Sequence, residues 1–370
     1  MNDMQGILYS LRSDPELGAL VADRNTAAIP FGGRYRLIDF MLSSMTNAGV
    51  RDLGVVMDRD YQSLLDHLSG GREWDLARHT GGLRLLPPFG LPESKGRFGG
   101  CMEALRGVRS YIESIPHENI VLSAGDLAAN IDLTAVRELH LASGAEMTAV
   151  CADGGPLYSH HRLVPDGDGF ASRLLFSQSG PGEGLLSLEV YILKKSLLLS
   201  LMDYCASSGE LHFHRSGVAH YLKTGGRIAV YRHEGYARRI RSALDYYEAS
   251  MALLCPEAMD SLFPSGARRV RTRERAEAST YYSDTAEVEN SLLADGCYIE
   301  GRVRGCVLFS GVRVEKGAEL ENCVVMHDCV IGRGAQLRCA VADKSCVVSE
   351  GVTLAGNERL PILIPKGARI

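Results

Sequence analysis

Between residues 305 and 347, small and aliphatic residues recur at every sixth position: Gly305, Gly311, Gly317, Cys323, Cys329, Ala335, Val341 and Val347. One place later come Cys306, Val312, Ala318, Val324 and Val330. A hexapeptide column of this kind is the mark of a parallel β-helix, in which each flat side consumes six residues and the narrow interior accepts only small or branched apolar side chains. The repeat predicts a left-handed β-helix over 287–370. A short coil of this type cannot bury its own ends, so it packs on another domain or subunit.

The first 255 residues follow a different rule. Short apolar runs at LGVVM (53–57), NIVLSAGD (119–126), EMTAVCA (146–152) and RIAVYRH (227–233) alternate with segments of helical spacing at Leu37–Ala48, Cys101–Ile115 and Leu133–Ala142. That alternation predicts an α/β, Rossmann-like domain with a mainly parallel sheet, whose ligands bind beyond the carboxyl ends of the strands. Between the two domains, 256–286 carries two prolines, a Ser-Gly and five arginines and reads as a connector, a solvated linker rather than an anion site.

Composition narrows the function classes. The 370 residues are 45% hydrophobic and 23% charged, as in an ordinary globular protein, and the net charge is −5 with a pI near 6.1. No basic run is present to displace counterions, so no nucleic-acid partner is expected. No signal-like leader and no window of about 18 apolar residues occurs, so no membrane is expected and the location is predicted as cytoplasmic. The ten cysteines include no C-x-x-C; zinc is not expected, and they read as small apolar core residues.

The segments PFGGRYRLIDF (30–40), LSSMTNAGV (42–50), LSAGD (122–126), EGYARRIRSALDYYEASMALL (234–254) and NSLLADGCYIEGRVRGCVLFSGVRV (290–314) carry a resemblance that spans nearly the whole chain in order. They resemble the ADP-glucose pyrophosphorylase (glucose-1-phosphate adenylyltransferase) family. The resemblance implies a nucleotidyltransferase scaffold in bacterial glycogen synthesis, where the active enzyme joins glucose 1-phosphate to the AMP part of ATP with the help of Mg²⁺.

Such transfer needs positioned phosphates, a divalent ion and cations on the departing pyrophosphate. Measured against the family's motifs, each of these parts is altered here. The glycine-rich loop LAGGxGxRL is replaced by LYSLRSDPELGAL, with Tyr9 and Ser10 at the paired glycines, Asp14 and Glu16 nearby, and Arg12 as a remnant cation. RAKPAVPFGG becomes RNTAAIPFGG, which keeps Arg24 and puts Thr26 at the lysine. Asp126 matches one metal carboxylate, but Arg239 stands at the other, so no metal is expected and Asp126 reads as an ion-pair partner, for instance of Arg239. FxEKP becomes FSQSG (176–180), with Ser179 at the lysine; DFGxDIIP becomes HFHRSGVA (212–219), and GTADA becomes GCMEA (100–104).

Taken together, the resemblance implies a GlgD-type regulatory subunit: no catalytic residues, degenerate positions at Thr26, Asp126, Ser179 and Arg239, no cofactor of its own, and a catalytic ADP-glucose pyrophosphorylase subunit as partner in a hetero-tetramer. Arg24, Arg34 and Arg36, with Arg238, Arg239 and Arg241, are candidates for binding a phosphorylated effector; the plainer reading pairs them with Asp39, Asp245 and Glu248. Two other readings stay open. One is an active nucleotidyltransferase with a rearranged site built on Asp126, Arg12, Arg24 and Arg34. The other is a hexapeptide acyltransferase, for which the repeat offers only His327, expected to face solvent.

Overall fold

The computed structural model describes residues 3–11, 15–58, 60–87, 98–153, 161–176 and 183–370. The chain forms two compact units that are not contiguous in sequence. The first comprises residues 1–12, 40–238 and 265–271, the second 13–39, 239–264 and 272–370.

The first unit is built on a nine-stranded sheet. Its strands are β1 (Met4–Ser10), β2 (Asp52–Met57), β3 (Gly82–Leu86), β4 (Asn119–Ala124), β5 (Met147–Ala152), β6 (His161–Pro165), β7 (Ala171–Phe176), β8 (Leu185–Lys194) and β9 (Ile228–His233). The main order is β7-β6-β8-β4-β1-β2-β3, with β5 paired to both β8 and β9. The β4-β1-β2-β3 block is parallel, as is β5 with β9. Of these, β2, β4, β5 and β9 are the apolar runs named from the sequence, whereas β1 and β3 are not among them. Every residue of β1 and of β5 is buried, as expected of parallel strands covered on both faces.

The sheet also has an antiparallel part that the sequence reading did not assign. β8 runs antiparallel to β4, β5 and β6, and β6 with β7 forms an antiparallel pair. Two helices depart slightly from expectation. The 101–115 segment breaks at Val108 into Cys101–Gly107 and Arg109–Ser114. Leu133–Ser143 is capped by Asp132, whose carboxylate accepts the N–H groups of Thr134 and Ala135, and stops at the left-handed Gly144.

The connector is not a free linker. Pro256–Leu262 is a helix with proline in its first turn, where no intrahelical donor is lost. The backbone of 268–271 is held within the first unit: the carbonyls of Arg268 and Arg269 accept side-chain N–H groups from Asn130 and Asn47, and the Arg271 N–H donates to Ser43 Oγ. Arginine-rich segments look solvated in sequence because their backbone bonds leave no trace in side-chain composition.

The second unit contains the left-handed parallel β-helix, whose three faces are five-stranded parallel sheets beginning at Tyr281, Glu287 and Leu292. From Arg302 to Ala355 each coil advances 17 residues: Val303 pairs with Leu320 and Leu320 with Leu337, while Val307 pairs with Val324 and Val324 with Val341; the last coil is longer, Val341 pairing with Leu363. Seventeen is one short of three sixes, so a strict six-residue count drifts from one structural column to another. Gly305, Gly311 and Gly317 are corner residues with φ of 58°, 77° and 76°, whereas Cys323, Cys329 and Ala335 lie in the apolar interior. The true columns are Cys306 over Cys323 over Ala340, and Val312 over Cys329 over Cys346, all buried. The late cysteines are therefore core residues, as expected from their size.

Candidate functional site

In the first unit the question is what occupies the carboxyl ends of the parallel strands, where such sheets bind ligands. Tyr9 stands near the end of β1 and is 7% exposed. Its carbonyl accepts the Gly125 N–H at 3.0 Å, and its hydroxyl donates to Glu189 Oε2 at 3.1 Å. The position that matches the first loop glycine of the family thus holds a buried ring. Arg12 and Asp14 lie outside the described residues, as does Ser179. Asp126 follows Gly125 and is partly buried, yet it belongs to no cluster of three or more metal-ligating side chains among the described residues. Arg239, which ends the Ala237–Arg239 strand, falls in the second unit and supplies a guanidinium rather than a carboxylate. Mg²⁺ takes oxygen donors in near-octahedral array, and a guanidinium offers none.

The HFHRSGVA stretch forms a π-helical turn over Phe213–Val218. Its His214 reaches a cluster that no sequence motif announced. His214 Nε2 lies 2.9 Å from Glu189 Oε2, and His161 Nδ1 lies 4.0 Å from Glu189 Oε1. The two imidazoles stack at 4.4 Å. The three residues come from β6, β8 and the turn, 25 to 53 positions apart, so only the fold brings them together. GCMEA opens the Cys101–Gly107 helix, where Glu103 accepts the Gly99 N–H at 2.5 Å.

In the second unit, Pro30–Phe31 and Tyr35–Arg36 form an antiparallel hairpin around Gly32 and Gly33, with φ of 60° and 83°. Only glycine takes that pair of left-handed positions without strain. Tyr35 stacks on Phe263 at 4.8 Å, and the hydroxyl of buried Tyr246 donates to the Pro30 carbonyl at 2.9 Å. Thr26 is buried in a one-turn 3-10 helix, whose Ala28 N–H is capped by Asn25 Oδ1.

The arginines flanking this turn have different surroundings. Arg24 is 3% exposed and forms an ion pair with Asp343 inside the unit, its Nη2 donating to both carboxylate oxygens at 2.8 and 2.7 Å. This partner is a β-helix residue that is not among the acidic residues named from the sequence. Arg34 is exposed and pairs with Asp295 at 3.3 Å. Arg36 is half-buried, and its backbone N–H donates to Asp39 Oδ2. Lys344 faces this group: burial first, then the Arg36 and Arg24 guanidinium charges, push its pKa down to about 7. His327, expected at the surface, is 9% exposed and meets Phe309 edge-on at 5.1 Å. Burial, then Lys344 and Arg275, hold its pKa at about 3. Arg24, Arg36 and Lys344 therefore make a cationic cluster of the second unit with Asp343 at its heart, beside a His327 that burial keeps neutral.

Comparison with known proteins agrees with this architecture. Residues 17–155 match the nucleotidyl transferase family model, and residues 278–360 match the model of the GlmU-like C-terminal hexapeptide. The glycogen biosynthesis protein GlgD of Bacillus subtilis (strain 168) is 31% identical over 320 residues, which cover 86% of this chain and 83% of that protein. Identity at that level over both domains, together with a nucleotidyltransferase sheet and a hexapeptide β-helix, leads to one assignment: the chain belongs to the GlgD-type family of ADP-glucose pyrophosphorylase-like proteins.

Proposed function

We propose that this chain is a regulatory or assembly subunit of glucose-1-phosphate adenylyltransferase in bacterial glycogen synthesis. On this reading it is deficient in catalysis alone and modulates a catalytic paralogue that makes ADP-glucose and pyrophosphate. The observation that carries the reading is Tyr9. A phosphate loop works because backbone N–H groups approach the phosphates closely, which requires glycine. Here a buried phenol stands at the loop's first glycine position, bonded to a carboxylate. The arginine at the position of the family's second metal carboxylate and the buried commitment of Arg24 to Asp343 support the same reading.

The partner follows from the same chemistry: a scaffold kept without its reactive groups is useful to a subunit that has them, and the expected assembly is a hetero-tetramer in the cytoplasm. Among the described residues no helix is long and apolar enough to cross a membrane. The positive region around Arg36 and Lys344, with Arg34 beside the turn, is the proposed contact for a phosphorylated effector. A phosphate placed there would restore the charge of Lys344, which supplies binding energy that a neutral ligand lacks.

The test is pyrophosphate release by the purified chain, alone and mixed with its catalytic paralogue. The proposal expects none from the chain alone and a changed turnover or effector response from the mixture. The rearranged-site reading instead makes Asp126 indispensable, so loss of turnover in Asp126→Asn would favour it.

A further inference from the structure

We propose that His161, Glu189 and His214 form a binding site for a single Zn²⁺ ion, independent of the regulatory reading above. Three separate elements converge here on one carboxylate. Glu189 is 5% exposed and His161 4%. The ligand atoms of all three residues lie within 4.8 Å of one another. In a tetrahedral site with bonds of roughly 2.1 Å, neighbouring ligand atoms stand about 3.4 Å apart. His214 Nε2 stands 2.9 Å from Oε2 and His161 Nδ1 4.0 Å from Oε1, on either side of that spacing, and an ion between them requires the stacked rings to turn so that both lone pairs meet it.

The backbone is arranged for this carboxylate. Glu189 has φ of 57°, a conformation that side-chain-bearing residues other than Asn and Asp rarely adopt. It sits in an irregularity of β8, where the pairing with β5 slips between Ser187 and Val190. Bulges re-aim a side chain, and strain of this kind persists where the surroundings hold it. The outer partners are also in place. Tyr191 Oη meets His214 Nδ1 at 2.9 Å, which leaves Nε2 directed at the carboxylate. Tyr9 donates to Glu189 Oε2. Ligating histidines regularly bind such a partner through the second ring nitrogen, and ligating carboxylates are themselves hydrogen-bonded.

The donor set selects the metal. Two imidazoles and one carboxylate suit zinc and its neighbours, whereas Mg²⁺ and Ca²⁺ prefer oxygen alone. No cysteine belongs to the cluster, so the missing C-x-x-C says nothing about it. Three protein ligands leave the fourth position for water or an incoming donor. The bound ion would tie β6, β8 and the 213–218 turn together directly beside Tyr9.

The experiment uses the full chain, stripped with a chelator and titrated with Zn²⁺ against a chromophoric competitor. The expected result is one equivalent bound, with a rise in melting temperature. Glu189→Gly should weaken binding more than about 100-fold, since loss of an outer partner alone costs roughly 10–100-fold. Glycine accepts the left-handed backbone, so this variant keeps its fold, and the melting curve of its metal-stripped form checks that. His161→Ala should show the same loss. Co²⁺ provides a second readout: visible bands of nitrogen and oxygen ligation support the site, while an intense thiolate charge-transfer band would place the ion on cysteine and overturn it. Absence of binding, or equal binding by wild type and both variants, would also overturn it.

Discussion

Arg24 and Asp343 hold each other's charge inside the second unit, with almost no access to water on either side chain. Removing one partner strands the other, a loss that generally costs about 3–5 kcal/mol. Asp343→Ala is therefore expected to lower stability by that order in urea denaturation. The sequence showed Arg24 as a retained family residue but not its partner, because the two are 319 positions apart and no local pattern joins them. Lys344 gives a pH signature. Its folded pKa is about 7 against an ordinary 10.5, so between those values the unfolded chain binds more protons. Stability then rises with pH through that window, and the cost of the buried ammonium is fully present below it. Lys344→Met should be more stable than wild type at pH 7, with the gap narrowing towards pH 9 in paired denaturation curves. Phosphate should stabilise the wild type at pH 7 and have little effect on the variant.

At the scale of elements, the β-helix turns its corners on left-handed residues that recur every 17 positions: Gly305, Asn322 and Cys339 at one corner, Gly311, Asp328 and Ser345 at another. A third corner runs through Gly317, Gly334 and Gly351. Gly317 has room for a methyl group, its nearest neighbour being 3.8 Å away, so Gly317→Ala tests backbone strain alone and should cost about 1–2 kcal/mol. Ser345→Gly relieves strain at φ 58° and should gain up to about 1 kcal/mol, both read from denaturation midpoints. Inside the coil, Leu320 is 1% exposed between Val303 and Leu337, and Leu320→Ala should cost about 2–5 kcal/mol. The repeat was legible because six-residue spacing is local. Its drift was not, since the one-residue deficit per coil appears only when strands are paired. Four of the parallel-paired strands, β2, β4, β5 and β9, were legible as apolar runs for the same local reason. β8 was not, because LLSLEVYILK owes its place to three partner strands and its bulge to the turn of Glu189.

For the whole molecule, the altered motifs at Tyr9, Thr26 and Arg239 were readable from the sequence because each replaces a residue of unmistakable chemistry. What fills the space they leave was not: the bond from Tyr9 to Glu189 and the approach of His214 and His161 depend on residues from four strands and turns. On the proposed reading, a chain in which the glycine loop, the lysines and the second carboxylate are replaced keeps the family's shape without the charges that drive phosphoryl chemistry. The most direct measurement is Mg²⁺-dependent pyrophosphate release from ATP and glucose 1-phosphate by the purified chain, with and without the catalytic paralogue. The account predicts no release above background from the chain alone, unchanged by Asp126→Asn, and an altered rate or effector response when the paralogue is added. Steady release from the chain alone, abolished by Asp126→Asn, would contradict it.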